Sequence, residues 1–432
     1  MAEKVLIKDI GHYVNEEVLL TGWVRNKRSS GKIQFIIIRD GTAEIQAVAF
    51  KPNLTSEQFE KCEILTMESS VKIWGKVKKD DRSPSGFELD LTKIEIIQIA
   101  DEYPIQKKSH GINFLLDNRH LWVRSRKQHA LLKIRHTVYY AITTYLNENG
   151  FYRYDSPILT PNACEGTTTL FELPYFDMGK AYLSQSGQLY AETGIMSLRR
   201  VYDFGPTFRA EKSKTRKHLT EFWMMDAEAA FVRHKENMKI QEELIRFVIR
   251  KVIERNANEL KNLGRDIDAL KQADAPFKIM THREAIDFLK NKGFDVDYEE
   301  DFGAEEETAL TEDAQVPLFI EKWPKHIKAF YMKIDPDNDE ISLCDDLIAP
   351  EGFGEIIGGS EREDNYDILK KRMLEEHLPM DEYQWYLDLR KYGSVPHSGF
   401  GIGLERLIGW MAGIHHIRQT IPFPRMINRI TP

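Results

Sequence analysis

The sequence predicts an α+β protein of two domains, and three observations predict it. Short alternating strands fill the first hundred residues, a stretch without periodicity follows at 101–111, and long amphipathic helices mixed with strands lie beyond. A chain of 432 residues has room for two or three domains around large cores. Its 42% hydrophobic and 30% charged residues exclude a disordered chain. The expected division is a barrel over 1–102, a hinge over 103–125 and a larger domain over 126–432.

In the first part the strands expected are Glu17–Val24, Ile33–Arg39, Glu44–Phe50, Ser69–Val77 and Phe87–Gln98, with a helical segment at Ser56–Ile64. Asp40-Gly41 marks a hairpin between two of them. Five strands with a helix between the third and fourth is the plan of an OB-fold β-barrel, a nucleic-acid-binding architecture; a sandwich is the alternative. Period two puts Ile45, Ala47 and Ala49 on one face and Gln46 on the other, and Phe87, Leu89 and Leu91 likewise turn Glu88 outward. The apolar run Ile36–Ile38 leaves the face of Phe35 open.

After the linker, Leu131, Ile134, Val138, Ile142 and Tyr145 form the apolar stripe of a helix expected over His129–Asn149 and stopped by Gly150. A second long helix is expected over Lys235–Leu260. Residues 295–313 hold ten acids and no base, the pattern of a solvated loop or edge without a catalytic role.

The net charge is −8, which taken alone argues against a polyanionic partner. Residues 1–102 carry 15 basic and 17 acidic side chains and the remainder 45 and 51, so neither part is basic. Local runs point the other way. Trp23–Lys32 has Arg25, Lys27, Arg28 and Lys32 with no acid, and Arg199–His218 has seven Lys or Arg against Asp203 and Glu211. Two patches of this kind suit a phosphate backbone, bound in a salt-sensitive way. The cysteines Cys62, Cys164 and Cys344 are too scattered for a disulfide framework or a paired metal site, so a reducing cytoplasm is expected. The start of the sequence, with Glu3 and Asp9, has no secretory h-region, and no run approaches 18 uncharged apolar residues, so no membrane is expected.

Three segments carry chemistry. Gly399–Arg406 reads GFGIGLER, glycines leading into an amphipathic helix. Phe208 begins FRAEKSKTRKHLTEFWMMDAE, two apolar stretches joined by a cationic loop, with Arg and His suited to a triphosphate and Phe222 suited to stacking on a base. Ser156-Pro157-Ile158-Leu159 follows the first helix as an interface edge does.

In this order the three resemble motifs 1, 2 and 3 of the class II aminoacyl-tRNA synthetases, and the N-terminal barrel resembles the anticodon-binding domain of the aspartate, asparagine and lysine subgroup. The resemblance implies an antiparallel sheet flanked by helices, and a homodimer through motif 1 around Pro157. Relatives specific for aspartate carry Gln-Ser-Pro-Gln-Leu-x-Lys, whose lysine meets the substrate carboxylate. Here the segment is Gln185-Ser186-Gly187-Gln188-Leu189-Tyr190-Ala191-Glu192, which replaces that cation with Ala191 followed by an acid. A carboxylate ligand loses a partner there and an amide gains an acceptor, a difference of several kcal/mol. Arg390–His397 and Ile421–Arg425 also resemble the asparagine branch.

The resemblance implies roles residue by residue. Arg209 and Arg406 are the catalytic arginines on the α-phosphate and the triphosphate; Glu211 and Phe222 contact adenine; Lys217 and His218 face the terminal phosphates; Asp346 and Glu355 bind Mg²⁺. Glu165 receives the α-ammonium group, Gln188 and Glu192 share its pocket, and Arg362 reaches the side-chain oxygen. Phe35, Gln46 and Glu88 match positions that stack on and hydrogen-bond anticodon bases. Thr167-Thr168-Thr169 departs from the Gly or Ala common in relatives. No nucleophilic cysteine or Ser/His/Asp arrangement is visible. The implied activity is ATP-dependent ligation of L-asparagine to tRNA(Asn) through an adenylate, with aspartate specificity or a non-charging relative as alternatives.

Overall fold

The structure, a computed structural model, describes residues 2–81, 83, 85–161, 169–212 and 216–432. It divides into two compact units, 1–111 and 112–432.

The first unit is a closed barrel of β1 (Glu17–Ser30), β2 (Ile33–Arg39), β3 (Glu44–Phe50), β4 (Ser70–Lys79) and β5 (Phe87–Gln98), in the order β1-β2-β3-β5-β4 with β4 returning to β1. Helix α1 (Ser56–Ile64) lies between β3 and β4 in sequence and is capped by the Thr55 hydroxyl, which accepts from the Gln58 amide. Inward residues Val18, Leu20, Ile36, Ile38, Ile45, Ala47, Ala49, Val71, Ile73, Leu89 and Leu91 make one core. Each large aliphatic side chain there contributes about 1.5–3 kcal/mol by leaving water. Closure settles barrel against sandwich. β1 runs to Ser30, beyond the expected Val24, because a bulge at Arg25 bends the strand and lets pairing with β2 continue.

Two short helices, Ile112–Asp117 and Arg119–Trp122, open the second unit, so residues 112–122 of the stretch expected as hinge are folded into it. Arg119 is 1% exposed and has its guanidinium aimed at the carbonyls of Gln419, Ile421 and Pro422. The antiparallel body is a sheet of β6 (Tyr152–Arg153), β7 (Arg200–Phe208), β8 (Glu221–Ala230), β9 (Lys278–Thr281), β10 (Leu318–Pro324), β11 (Asn338–Ala349), β12 (Gly354–Glu361) and β13 (His397–Gly403). Its order is β9-β10-β11-β12-β13-β8-β7-β6, antiparallel except at the outer pairs β9/β10 and β7/β6, with Ile334–Asp335 added beside β11.

Helices α2 (Arg126–Glu148) and α3 (Gln188–Leu198) precede the long α4 (His234–Leu263); α5 (Ala304–Thr311), α6 (Met380–Lys391) and α7 (Leu404–Ala412) follow. The α2 stripe Leu131, Ile134, Val138 and Ile142 joins Leu244, Ile245, Val248, Ile249 and Val252 of α4 and the sheet in one core. α4 ends at Gly264, whose φ of 74° is the left-handed C-terminal conformation that glycine adopts without strain.

Candidate active site

A cavity of about 600 Å³ lies over β8, β13, β12 and β11. Its floor follows from register. Asp226 pairs with Gly401, Gly401 with Gly358, and Gly358 with Asp346, so one cross-strand row reads acid, glycine, glycine, acid. The two glycines leave the centre of the row bare while the carboxylates rise at its ends. A Cβ on Gly401 would lie 2.8 Å from Asp226 Oδ1.

Glu355 reaches this face by an irregularity. It stands three positions before Gly358, which in a regular strand puts them on opposite faces. The β11/β12 register shifts between Leu347/Ile357 and Ile348/Glu355, leaving Ile356 as the extra residue of a bulge. As a result a Cβ on Gly358 would be 3.4 Å from Glu355 Oε1 and 3.8 Å from Asp346 Oδ1. Burial and repulsion from Glu355, opposed by Lys328, push Asp346 up to about 7. Arg406, with Lys328 and Arg209, overcomes burial and holds Glu355 below the ordinary carboxylate value. Two converging carboxylates fit Mg²⁺, which takes hard oxygen donors and commonly one or two carboxylates beside substrate phosphates. Among the described residues no three metal-ligating side chains gather, so phosphate and water oxygens would complete such a shell.

The cations expected from the sequence come together at one end of the cavity: Arg209, Lys217, His218 and Arg406 all line it, with Phe222. β7 and β8 form a hairpin with Phe208 opposite Glu221, and the Arg209 amide donates to the Thr220 carbonyl, closing the base of the cationic loop. The Arg209 guanidinium lies 5.5 Å from the Phe222 ring centre. Arg406, in the first turn of α7, donates to the Glu355 carbonyl at 3.0 Å and to its carboxylate at 3.1 Å. Burial, then Arg406, Arg209 and Lys217, lower the affinity of His218 for a proton. Glu211 is not on the described wall, and its Oε1 is buried with no partner among the described residues.

At the other end Gln188 and Arg362 line the cavity, with Ser186 and Tyr331. The Asp226 carboxylate accepts from the Ser186 hydroxyl and the Gly187 amide, both at 2.9 Å, which fixes the start of α3. Glu165 lies outside the described residues. Glu192, expected in the same pocket, is 0% exposed and does not stand on the wall. Its oxygens accept from Tyr386, Arg390 and Gln188 and lie 3.1 Å from His397 Nε2. Burial alone would raise the Glu192 proton affinity, but Arg390 and the hydrogen bond with His397 hold it well below the usual range. It reaches the cavity through its hydrogen bond from Gln188, which stands on the wall. Ala191 is buried too, packed with Ile195, Val201 and Ala230.

The acid that meets the cavity's arginine is Glu228. It is 0% exposed, and Arg362 donates to it through Nε and Nη2 and to the Ser360 hydroxyl through Nη1. Burial alone would loosen the Arg362 proton, but Glu228 holds it above its ordinary value. Three of the five guanidinium donors are thereby used and two remain for a ligand. Glu228 went unread in the sequence, although acids at 226 and 228 in the apolar strand FWMMDAEAA are a period-two signal. Lys328 was missed as well. It lines the cavity, lies 2.8 Å from Asp346 Oδ2, and sits 3.7 Å from the Trp323 ring centre. The acidic run 295–313 is corrected in part, because Asp301 and Glu307 stand on the cavity wall.

On the barrel Ile36 and Ile38 point into the core, so Phe35 lies on the opposite, half-buried face, with the Arg28 guanidinium 4.4 Å from its ring centre. Gln46 lies beside Glu88 in register and donates to its carboxylate.

Residues 111–427 match the family model of tRNA synthetases class II (D, K and N), and residues 18–97 match that of an OB-fold nucleic-acid-binding domain. An asparagine–tRNA ligase of Roseiflexus sp. strain RS-1 is 53% identical over 99% of this chain and 98% of its own length. One from Desulforamulus reducens is 52% identical over 99% of each. The crystal structure of asparaginyl-tRNA synthetase from Pyrococcus horikoshii complexed with asparaginyl-adenylate superposes with a TM-score of 0.96 at 45% identity, over the whole of both chains. The chain belongs to the class II tRNA synthetases of the D, K and N group.

Proposed function

We propose that this chain ligates L-asparagine to tRNA(Asn) in two steps, with ATP as co-substrate. The observation that carries it is the polarity of the cavity: a glycine floor separates a cationic end, at Arg209, Lys217, His218 and Arg406, from a polar end at Gln188 and the Glu228-backed Arg362. A nucleotide triphosphate suits the first and a small neutral amide the second.

In the first step an asparagine carboxylate oxygen attacks the α-phosphorus in line, the bond from phosphorus to the bridging oxygen breaks, and pyrophosphate leaves with its electron pair. Arg209 stabilises charge on the α-phosphate as it develops, and Phe222 and Arg406 flank the nucleotide. His218, its proton affinity lowered by burial and by the cations around it, donates to phosphate oxygens. Asp346 and Glu355 would hold Mg²⁺, which when bound neutralises triphosphate charge. In the second step a terminal ribose hydroxyl of the tRNA attacks the activated carbonyl and AMP departs.

Selection follows from the Arg362 pair. Arg362 offers its two remaining donors to a side-chain carbonyl oxygen, while Glu228 behind it already balances its charge. Aspartate would bring an uncompensated second anion to this end, and a buried unpaired charge is costly. The α-ammonium group is assigned to Glu165. On the barrel, Phe35 stacks on an anticodon base, and Gln46 and Glu88 read base edges. A homodimer through motif 1 is supported by Tyr152, Ile158 and Leu159, which are 58%, 43% and 42% exposed beside Pro157. The described cysteines Cys62 and Cys344 are free, buried thiols, which suits a reducing cytoplasm, and among the described residues no helix is long and apolar enough to cross a membrane.

Incubation of the purified chain with tRNA, ATP, Mg²⁺ and labelled asparagine tests this. Label on the tRNA, with one AMP per asparagine transferred, is expected. AMP release without labelled tRNA would mean that the adenylate serves another acceptor.

A further inference from the structure

Within the acidic run, α5 carries Glu307 against the cationic loop. The Lys217 ammonium donates to Glu307 Oε2 at 3.1 Å, with the two side chains only 19% and 16% exposed. The pair sits directly over Gly354, the residue before Glu355, where φ is +83° and a Cβ would collide with both charged groups. α5 itself is fastened to the turn leading into β12: the Glu351 amide donates to the Thr311 carbonyl at 2.9 Å, and Thr308 packs on Gly352. Glu307 is therefore a fixed carboxylate held against a cation that serves the site.

We propose that Glu307 is a positioning residue that competes with the outer phosphates of ATP for Lys217, and so sets ATP affinity and the ease with which pyrophosphate departs. This rests on Lys217 being a phosphate ligand, as proposed above. Among the described residues Glu307 is the carboxylate that holds the ammonium before a nucleotide arrives. A triphosphate brings more charge and displaces it. Once pyrophosphate is cut from the adenylate, the fixed Glu307 competes for Lys217 again and weakens the hold on the product.

The test is asparagine-dependent ATP–pyrophosphate exchange for the unaltered chain, Glu307→Gln, Lys217→Met and the double variant, with pyrophosphate inhibition measured alongside. Glu307→Gln is expected to lower the ATP KM and the pyrophosphate inhibition constant about fivefold, the scale of a partly exposed ion pair, while the asparagine KM stays unchanged. Lys217→Met is expected to raise the ATP KM, and in its background Glu307→Gln is expected to do nothing. A Glu307→Gln variant with unchanged or raised ATP KM overturns the proposal. So does an undiminished fivefold effect in the Lys217→Met background, which would mark simple repulsion of the nucleotide. If Lys217→Met alone leaves the ATP KM unchanged, the phosphate role of Lys217 fails first and the proposal falls with it. Glu307→Asp, which keeps the charge but shortens the reach, separates contact from charge: it is expected to behave like Glu307→Gln, and unaltered kinetics would contradict the competition.

Discussion

On the barrel, Phe35, Gln46 and Glu88 come from three neighbouring strands paired without a register shift at these positions, and alternation alone brings them to one face. On the catalytic sheet, Glu355 joins Asp346 only because Ile356 is bulged, and Lys217 and Glu307 meet across 90 residues of sequence. Regular strands make a flat surface on which bases can be stacked and read. A triphosphate and an amino acid need charges converging from several sides, and a regular lattice of side chains cannot supply that. The cost differs as well. The catalytic sheet lines Asp203, Asp226 and Asp346 along one row, while Gln46 and Glu88 on the barrel satisfy each other.

If the two regions divide the work in this way, substitutions should separate them. Arg209→Ala is expected to cost the exchange reaction about a thousandfold in kcat, on the scale of losing one preorganised donor to transition-state charge, while tRNA binding measured by filter retention is unchanged. Arg362→Ala leaves Glu228 buried without its cation. A loss of about 3 kcal/mol in unfolding free energy by urea titration is expected, together with loss of asparagine use.

Phe35→Ala is expected to do the reverse of Arg209→Ala. Charging kcat/KM should fall about thirtyfold through loss of one stacked base, with the exchange rate unaltered. Equal losses in both assays would show that the barrel face acts through the fold. The smallest effect concerns the acid row. Burial, with repulsion from Asp226, pushes Asp203 up to about 6. A carboxyl with a raised folded pKa binds its proton more tightly in the native state, so stability falls as pH rises from about 4 through 6. Asp203→Asn is therefore expected to melt a few degrees higher than the unaltered chain at pH 8 and no higher at pH 4. A constant difference across that range would place its effect in packing.

The same contrast explains what was legible in the sequence. β2, β3, β5 and α1 have the bounds that alternation and turn residues predict, and the core positions of the barrel follow from period two. The face of Phe35 was open in sequence, because three isoleucines in a row erase the alternation, and only pairing with β1 and β3 decided it. In the second unit Arg209, Lys217, His218 and Arg406 were named through the resemblance of their motifs, and the fold brings all four to the cavity wall. The burial of Glu192 was not legible: its position in the segment says nothing about Arg390 and His397, which come from 198 and 205 residues away to surround it. Glu228 was passed over because it lies in the middle of an apolar strand, and Lys328 because it sits in a bend after the short turn Lys325–Ile327 that carries no motif. Glu307 was set aside because charge density reads as solvation, and a helix packed on a cavity has the same composition as one in water.

Amino-acid-dependent ATP–pyrophosphate exchange, run with purified asparagine and with purified aspartate, tests most directly whether the Glu228–Arg362 end selects a neutral amide. Exchange with asparagine at a kcat/KM at least a hundredfold above that with aspartate is expected, which corresponds to about 3 kcal/mol of discrimination at the buried pair. Equal rates with the two amino acids would contradict it.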